Sequence, residues 1–209
     1  MGDVFVDSLQ PYIVNLRGET PFVRKVTVPR SYGVTGTKYP LMLPNGKVLA
    51  KTNLSLQENF KQVLEIWDPA TEAWSLMADR SETNEYVALD NLLLLKDGRV
   101  LSPGNRVFND AQIFSPPYLF NSSGGIAARP SIISAPAMAL HGNKVLVKHG
   151  IGNTISRVTL IRNSRIENEL SVGSRFIELE FEDTANGVSV QIPYSSNTAP
   201  PGHYIMYLL

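Results

Sequence analysis

Apolar and polar positions alternate in short runs along this chain, and most runs are bounded by glycine, proline, asparagine or aspartate. That pattern predicts strands joined by turns, because successive side chains of a strand point to opposite faces. Leu41-Met42-Leu43 leads into Pro44-Asn45-Gly46 and out through Lys47-Val48-Leu49-Ala50. Asn-Gly between apolar runs is a strong hairpin signal, since both residues tolerate positive φ. The unit returns as Leu92 to Leu95, Lys96-Asp97-Gly98 and Arg99-Val100-Leu101. A second pair has a similar offset: VLEIWDP from Val63 to Pro69, and DAQIFSP from Asp110 to Pro116. A repeat of about 50 residues with hairpins inside it predicts the four-stranded blades of a kelch-type propeller. Arg24 to Val28 reads as a further strand, Pro29 to Gly33 as a loop, and residues 1–20 as an incomplete blade. Trp67 and Trp74, on either side of the turn Asp68-Pro69-Ala70-Thr71, are expected to pack as bulky filler between blades rather than to form a sugar platform.

The rhythm changes at Asn121-Ser122-Ser123-Gly124-Gly125, a turn or linker by composition. Short strands follow: Lys144 to Val147, Arg157 to Ile161, Arg175 to Phe181, Val188 to Ile192 and His203 to Leu208. Within Arg175 to Phe181, Ile177, Leu179 and Phe181 share one face with Arg175, while Phe176, Glu178 and Glu180 share the other. One face is therefore expected to be buried and one wet. Several strands at this spacing predict an immunoglobulin-like β-sandwich, here without a cysteine–tryptophan pin.

Composition narrows the function classes. The 209 residues carry 19 basic and 19 acidic side chains, for a net charge of zero. No like-charge run and no basic face point to nucleic acid or a membrane surface. A chain of this length buries roughly 70% of its unfolded surface, so its core needs no staples. There is no cysteine, which excludes disulfides and thiolate metal sites. No apolar run approaches the roughly 20 residues of a membrane span. Met1 to Phe5 lacks the basic and apolar segments of a signal peptide, and Val6 stands where a myristoylation signal needs serine or threonine. Two glycosylation sequons occur, Asn53-Leu54-Ser55 and Asn121-Ser122-Ser123.

Taken in order, MLPNGKV, LLLLKDGRV, DAQIFSPPYLFN, Arg129-Pro130, VTLIR (Val158 to Arg162), Arg175 and APPGHYIMYL resemble the C-terminal part of the galactose oxidase family of copper radical oxidases. The resemblance covers roughly residues 40–208. It implies an all-β chain: partial kelch-type blades over residues 1–115, then a galactose oxidase-like E-set sandwich over 116–209 whose last strand is expected to be missing. It also implies an extracellular setting, and oxidation of alcohols or carbohydrates by oxygen to aldehyde and hydrogen peroxide.

The family's copper ligands do not carry over. Its Tyr-His pair before the LLLPDGRV-like strand falls on Ala88 and Leu89, and its sandwich-loop histidine falls on Asn168, after Glu167. Cupric copper takes imidazole and phenolate donors in tetragonal geometry. A methyl and an isobutyl group have no lone pair, and a carboxamide oxygen is a weak donor. Tyr86 shares a strand face with Ala88 but lies ~7 Å along the strand. Asp90 shares that face too, and a lone carboxylate there is expected to be solvated. The family's radical cofactor needs a cysteine cross-linked to tyrosine, and this chain has no cysteine. The glycine-rich rim after DGRV is shortened to Leu101-Ser102-Pro103-Gly104-Asn105.

Other chemistry is equally thin. His141, His149 and His203 sit at turns or strand ends with no ligand spacing, and are expected to be ordinary surface or turn residues. Gly33 to Lys38 lacks the length and the Lys-Ser/Thr ending of a phosphate loop. No GxSxG elbow, HExxH or dinucleotide fingerprint appears. The sequence therefore assigns no catalytic, cofactor-binding or metal-binding residue. It predicts a non-catalytic galactose oxidase-like module, binding or structural, and the resemblance implies a carbohydrate or another protein chain as its partner. The alternatives are the C-terminal portion of a copper-dependent oxidase and a self-assembling structural subunit. The blades are too few to close a propeller, so the chain is expected to be part of a longer product. Assembly with other chains, or a compact sheet of its own, are the other outcomes.

Overall fold

The computed structural model describes residues 3–6, 8, 10–16, 19–30, 40–53, 62–77, 92–102, 111–150, 154–162, 165–167, 170–172 and 174–209. Among them the regular structure is strand throughout, apart from one 3-10 turn at Pro117–Leu119. The chain divides into two compact units: residues 1–115 with 165–172, and residues 116–164 with 173–209.

In the first unit, β1 (Asp3–Val6), β2 (Tyr12–Asn15) and β3 (Phe22–Lys25) form a three-stranded antiparallel sheet. The strand expected over Arg24 to Val28 thus runs over Phe22–Lys25 instead. Val26 and Thr27 leave the ladder, and Val26 N–H bonds Pro11 O at 2.9 Å while its side chain joins the core. Next, β4 (Leu41–Met42), β5 (Val48–Asn53), β6 (Gln62–Asp68) and β7 (Ala73–Leu76) form a four-stranded antiparallel meander. Val48 to Lys51 and Leu64 to Trp67 are buried at every position, so these inner strands are covered on both faces. Then β8 (Leu93–Leu94), β9 (Val100–Ser102) and β10 (Gln112–Phe114) form a shorter meander.

The two hairpin turns have one geometry. Leu43 N–H bonds Lys47 O at 2.8 Å and Gly46 N–H bonds Leu43 O at 2.9 Å. Leu95, Arg99 and Gly98 repeat this at 2.8 and 2.9 Å. Asn45 Oδ1 and Asp97 Oδ1 each accept the N–H two residues on. Only the glycines take positive φ, 82° at Gly46 and 81° at Gly98. This is a three-residue loop with a left-handed glycine closing it, rather than a turn in which asparagine also takes positive φ.

The turn between β6 and β7 is tied to the segment after β3. Glu72 stands at φ 56°, rare for a residue with a side chain. Its Oε2 accepts the Thr27 N–H at 2.7 Å, and its Oε1 pairs with Arg24. Hydrogen bonds from Thr27, reinforced by the Arg24 charge, hold the Glu72 carboxyl down at about 2. Because the folded value lies below the ordinary 4.5, the stabilisation is complete above the unfolded pKa. It is lost as pH falls through the folded value. Glu72→Gln should therefore cost about 1–2 kcal/mol at neutral pH, allowing for solvent screening of a partly exposed pair. The difference from wild type should shrink between about pH 5 and 2 in urea melts repeated down that range. A gap that stays constant to pH 2 contradicts the tie.

The second unit is a sandwich. One sheet has the order β11-β12-β18-β17 and the other β16-β13-β19. Their strands are β11 (Ile132–Ser134), β12 (Lys144–His149), β13 (Val158–Arg162), β16 (Arg175–Leu179), β17 (Phe181–Thr184), β18 (Gly187–Gln191) and β19 (Ile205–Leu208). Between β13 and β16 lies the hairpin β14 (Arg165–Glu167) and β15 (Leu170–Val172), whose residues belong to the first unit. Val147, Val188 and Val190 from one sheet meet Val158, Leu160, Ile177, Leu179 and Leu208 from the other. This apolar layer is the sandwich core. Tyr204 Oη donates to Pro200 O at 2.7 Å, pinning the turn before β19 as the tyrosine corner does in such folds.

The segment Arg175 to Phe181 is two strands, not one. β16 ends at Leu179, Glu180 is outside both ladders, and Phe181 opens β17 in the opposite sheet. The inward positions Ile177 and Leu179 are buried, Phe181 packs against the core, and Glu178 and Glu180 are exposed, so the alternation survives the crossing. The last strand starts at Ile205, two residues after the expected His203. Asn121 to Gly125 forms a tight turn, Asn121 N–H bonding Gly125 O at 2.8 Å beside the Phe120–Ile126 bridge.

Candidate metal centre

The positions where the resemblance locates copper ligands, Ala88, Leu89 and Asn168, lie outside the described residues, as do Tyr86, Asp90 and Pro103 to Asn105. Glu167 ends β14, and Leu101 and Ser102 lie in β9. The donor chemistry at the three positions does not fit cupric copper, since two of the side chains are hydrocarbon. Among the described residues no group of three His, Asp or Glu side chains is arranged to hold a metal ion.

Each histidine has a local explanation. His141 Nε2 donates to Ala199 O at 2.7 Å, tying the turn before β12 to the turn before β19. His149 Nδ1 donates to the adjacent Gly150 O at 3.0 Å. A carbonyl only accepts, so these bonds place the proton on that ring nitrogen. His203 is exposed in the turn before β19. The phosphate-loop-like segment Gly33 to Lys38 lies outside the described residues.

The polar centre that sequence reading missed is a buried ion pair in the first unit. Glu65, in the middle of β6, has a fully buried side chain, and that of Arg30 is 3% exposed. Arg30 Nε donates to Glu65 Oε2 at 3.1 Å, and Nη2 donates to Lys51 O at 2.6 Å. The guanidinium also lies over the Trp74 ring, 5.0 Å from its centroid. Trp74 Nε1 donates to Val28 O at 3.2 Å. Trp67 is buried in the core with Ile13, Val26 and Val48, and Phe5 stacks on it at 4.7 Å. Trp67 therefore serves core packing, while Trp74 packs against that core and carries the Arg30 guanidinium on its ring. A charged residue inside the apolar run VLEIW was the available signal, because a buried carboxylate needs a cationic partner.

Surface pairs act more weakly. Arg157 grips Glu178 through Nε at 2.9 Å and Nη2 at 2.7 Å, and this bidentate hydrogen bonding lowers the Glu178 pKa and raises that of Arg157. Lys47, after the β4–β5 turn, pairs through Nζ with Asp68 at the end of β6 at 2.9 Å, and this hydrogen bond lowers the Asp68 pKa.

Comparison with known proteins places these features. Residues 129–209 match the family "Galactose oxidase-like, Early set domain". Galactose oxidases of Gibberella zeae are 29% identical over 154 residues, covering 69% of this chain and 22% of theirs. A WSC domain-containing protein of Arthroderma benhamiae is 26% identical over 149 residues, covering 68% of this chain and 16% of its own. The chain thus spans about a fifth of the length of the curated relatives it matches. A fungal alcohol oxidase of the AA5 family, solved in complex with copper, has the same fold over all of this chain and 46% of its own. Its TM-score is 0.78 and its identity 22%.

Proposed function

From its place as the C-terminal part of the galactose oxidase-like family, we propose that this chain is a non-catalytic member that acts by binding. Residues 1–115 supply partial kelch-type blades and residues 116–209 the E-set sandwich. The partner is a carbohydrate or another protein chain, met in an extracellular setting. One observation carries this reading: the side chains at positions 88, 89 and 168 are alanine, leucine and asparagine, which are not cupric ligands.

A second reading is favoured by the 22% of the galactose oxidase length that the chain spans. The chain would then be the C-terminal portion of a copper-dependent oxidase whose remaining chain brings the ligands. A peroxidase-coupled assay with galactose and simple primary alcohols separates the two when it is run on this chain joined to whatever sequence flanks it in frame. The purified, copper-supplemented product should release no hydrogen peroxide above the blank. Release that scales with protein and vanishes with a chelator would establish the oxidase.

A further inference from the structure

We propose that Asn121 is an N-glycosylation site, accepting an oligosaccharide through its side-chain amide nitrogen. This rests on the extracellular setting in the reading above, and adds a covalent modification to it. Asn121, Ser122 and Ser123 form one of two sequons in the chain. Asn121 is exposed at the start of the turn closed by the Phe120–Ile126 bridge. Its Oδ1 accepts three hydrogen bonds: Ser123 N–H at 3.0 Å, Ser123 Oγ–H at 2.7 Å and Gly125 N–H at 3.0 Å. Two of these donors are backbone N–H groups, so the atom they meet must be the oxygen, which settles the orientation of the amide. The nitrogen is the end left over, and it makes no hydrogen bond among the described residues. The Asn121 side chain therefore braces the turn through its oxygen alone, beside the backbone bonds Asn121 N–H to Gly125 O and Gly124 N–H to Asn121 O, and leaves the nitrogen open to a substituent.

The neighbouring surface suits a sugar. Phe120 is 40% and Ile126 77% exposed, an apolar pair flanking the turn. A pyranose presents C–H groups on one face, and the first sugar on Asn121 would shield this pair from water. The other sequon differs: Asn53 ends β5, paired with Gln62 in the ladder of the meander. In the transfer, the donor is an oligosaccharide on a lipid pyrophosphate, and the catalyst is the membrane-bound transferase of the secretory pathway. A bond forms from Asn121 Nδ2 to the anomeric carbon, and the bond from that carbon to the pyrophosphate oxygen breaks. Nδ2 gives one proton to a base of the transferase, and the lipid pyrophosphate leaves.

The full chain, directed into the secretory pathway of a yeast behind a cleavable leader, tests this from both medium and cell extract. Peptide-N-glycosidase in heavy-oxygen water should convert Asn121 to labelled aspartate, and intact mass should fall by one glycan. Ser123→Ala should abolish the glycan, and Ser123→Thr should keep it. Asn53→Gln should leave it in place. Unmodified Asn121 peptide in the translocated wild-type chain, or a glycan at Asn53 alone, overturns the proposal. Copper retention or peroxide release would sink the non-catalytic reading and leave this one standing.

Discussion

Gly187→Ala should cost the sandwich unit about 3–5 kcal/mol, enough to unfold many domains of this size. Gly187 opens β18 at φ 143°, a conformation that residues with a side chain rarely adopt. A Cβ built there would stand 2.1 Å from Val147 O and 2.9 Å from Lys148 Cα. Both are backbone atoms of β12, the strand paired with β18, so no rotamer change relieves the overlap. The two strands would have to part, and Val147, Val188 and Val190, all fully buried, would lose their packing. Gly124→Ala is the control. Its φ is 82°, but nothing lies within 4 Å of the added carbon, so about 1 kcal/mol is expected. Amide hydrogen exchange at Val145–Val147 and Val188–Val190 checks both variants. Protection in Gly187→Ala equal to that in Gly124→Ala would contradict this account of the β12–β18 pairing.

Arg30→Met should destabilise the first unit by about 3–5 kcal/mol, because it leaves the Glu65 carboxylate buried without the guanidinium. The bond to Lys51 O and the stacking on Trp74 go with it. Replacing both partners, Arg30→Met with Glu65→Leu, removes the charge problem and should recover much of the loss. The chain's two tryptophans are both in this unit, so their fluorescence in a urea titration reads it selectively. A single-variant cost below about 1 kcal/mol would mean that water reaches the pair and screens it.

Much of this architecture was legible because turns leave chemical marks. Gly46 and Gly98 occupy the left-handed position that closes each hairpin, and Asn45 and Asp97 cap the turn with their side chains. Of the apolar runs around them, those after the turns became the inner strands β5 and β9, while those before became the edge strands β4 and β8, with Leu93 half exposed. The sheet change at Glu180 was invisible, since inward positions keep their alternation whether the strand stays in one sheet or crosses to the other. The short strands β1 to β3 have fewer such marks, and β3 is exposed throughout, so no alternation sets its ends. The Arg30–Glu65 pair was hidden by distance, its members being 35 residues apart with Arg30 in an irregular segment. The candidate copper positions were read through the resemblance, and what decides them is side-chain chemistry rather than fold.

The most direct measurement is metal stoichiometry. The purified chain is loaded with cupric salt, dialysed against buffer without metal, and its copper determined by elemental mass spectrometry and paramagnetic resonance. Alanine, leucine and asparagine at positions 88, 89 and 168 predict no protein-bound cupric signal. One copper retained per chain, with nitrogen hyperfine structure and a tetragonal spectrum, would contradict the proposed non-catalytic reading.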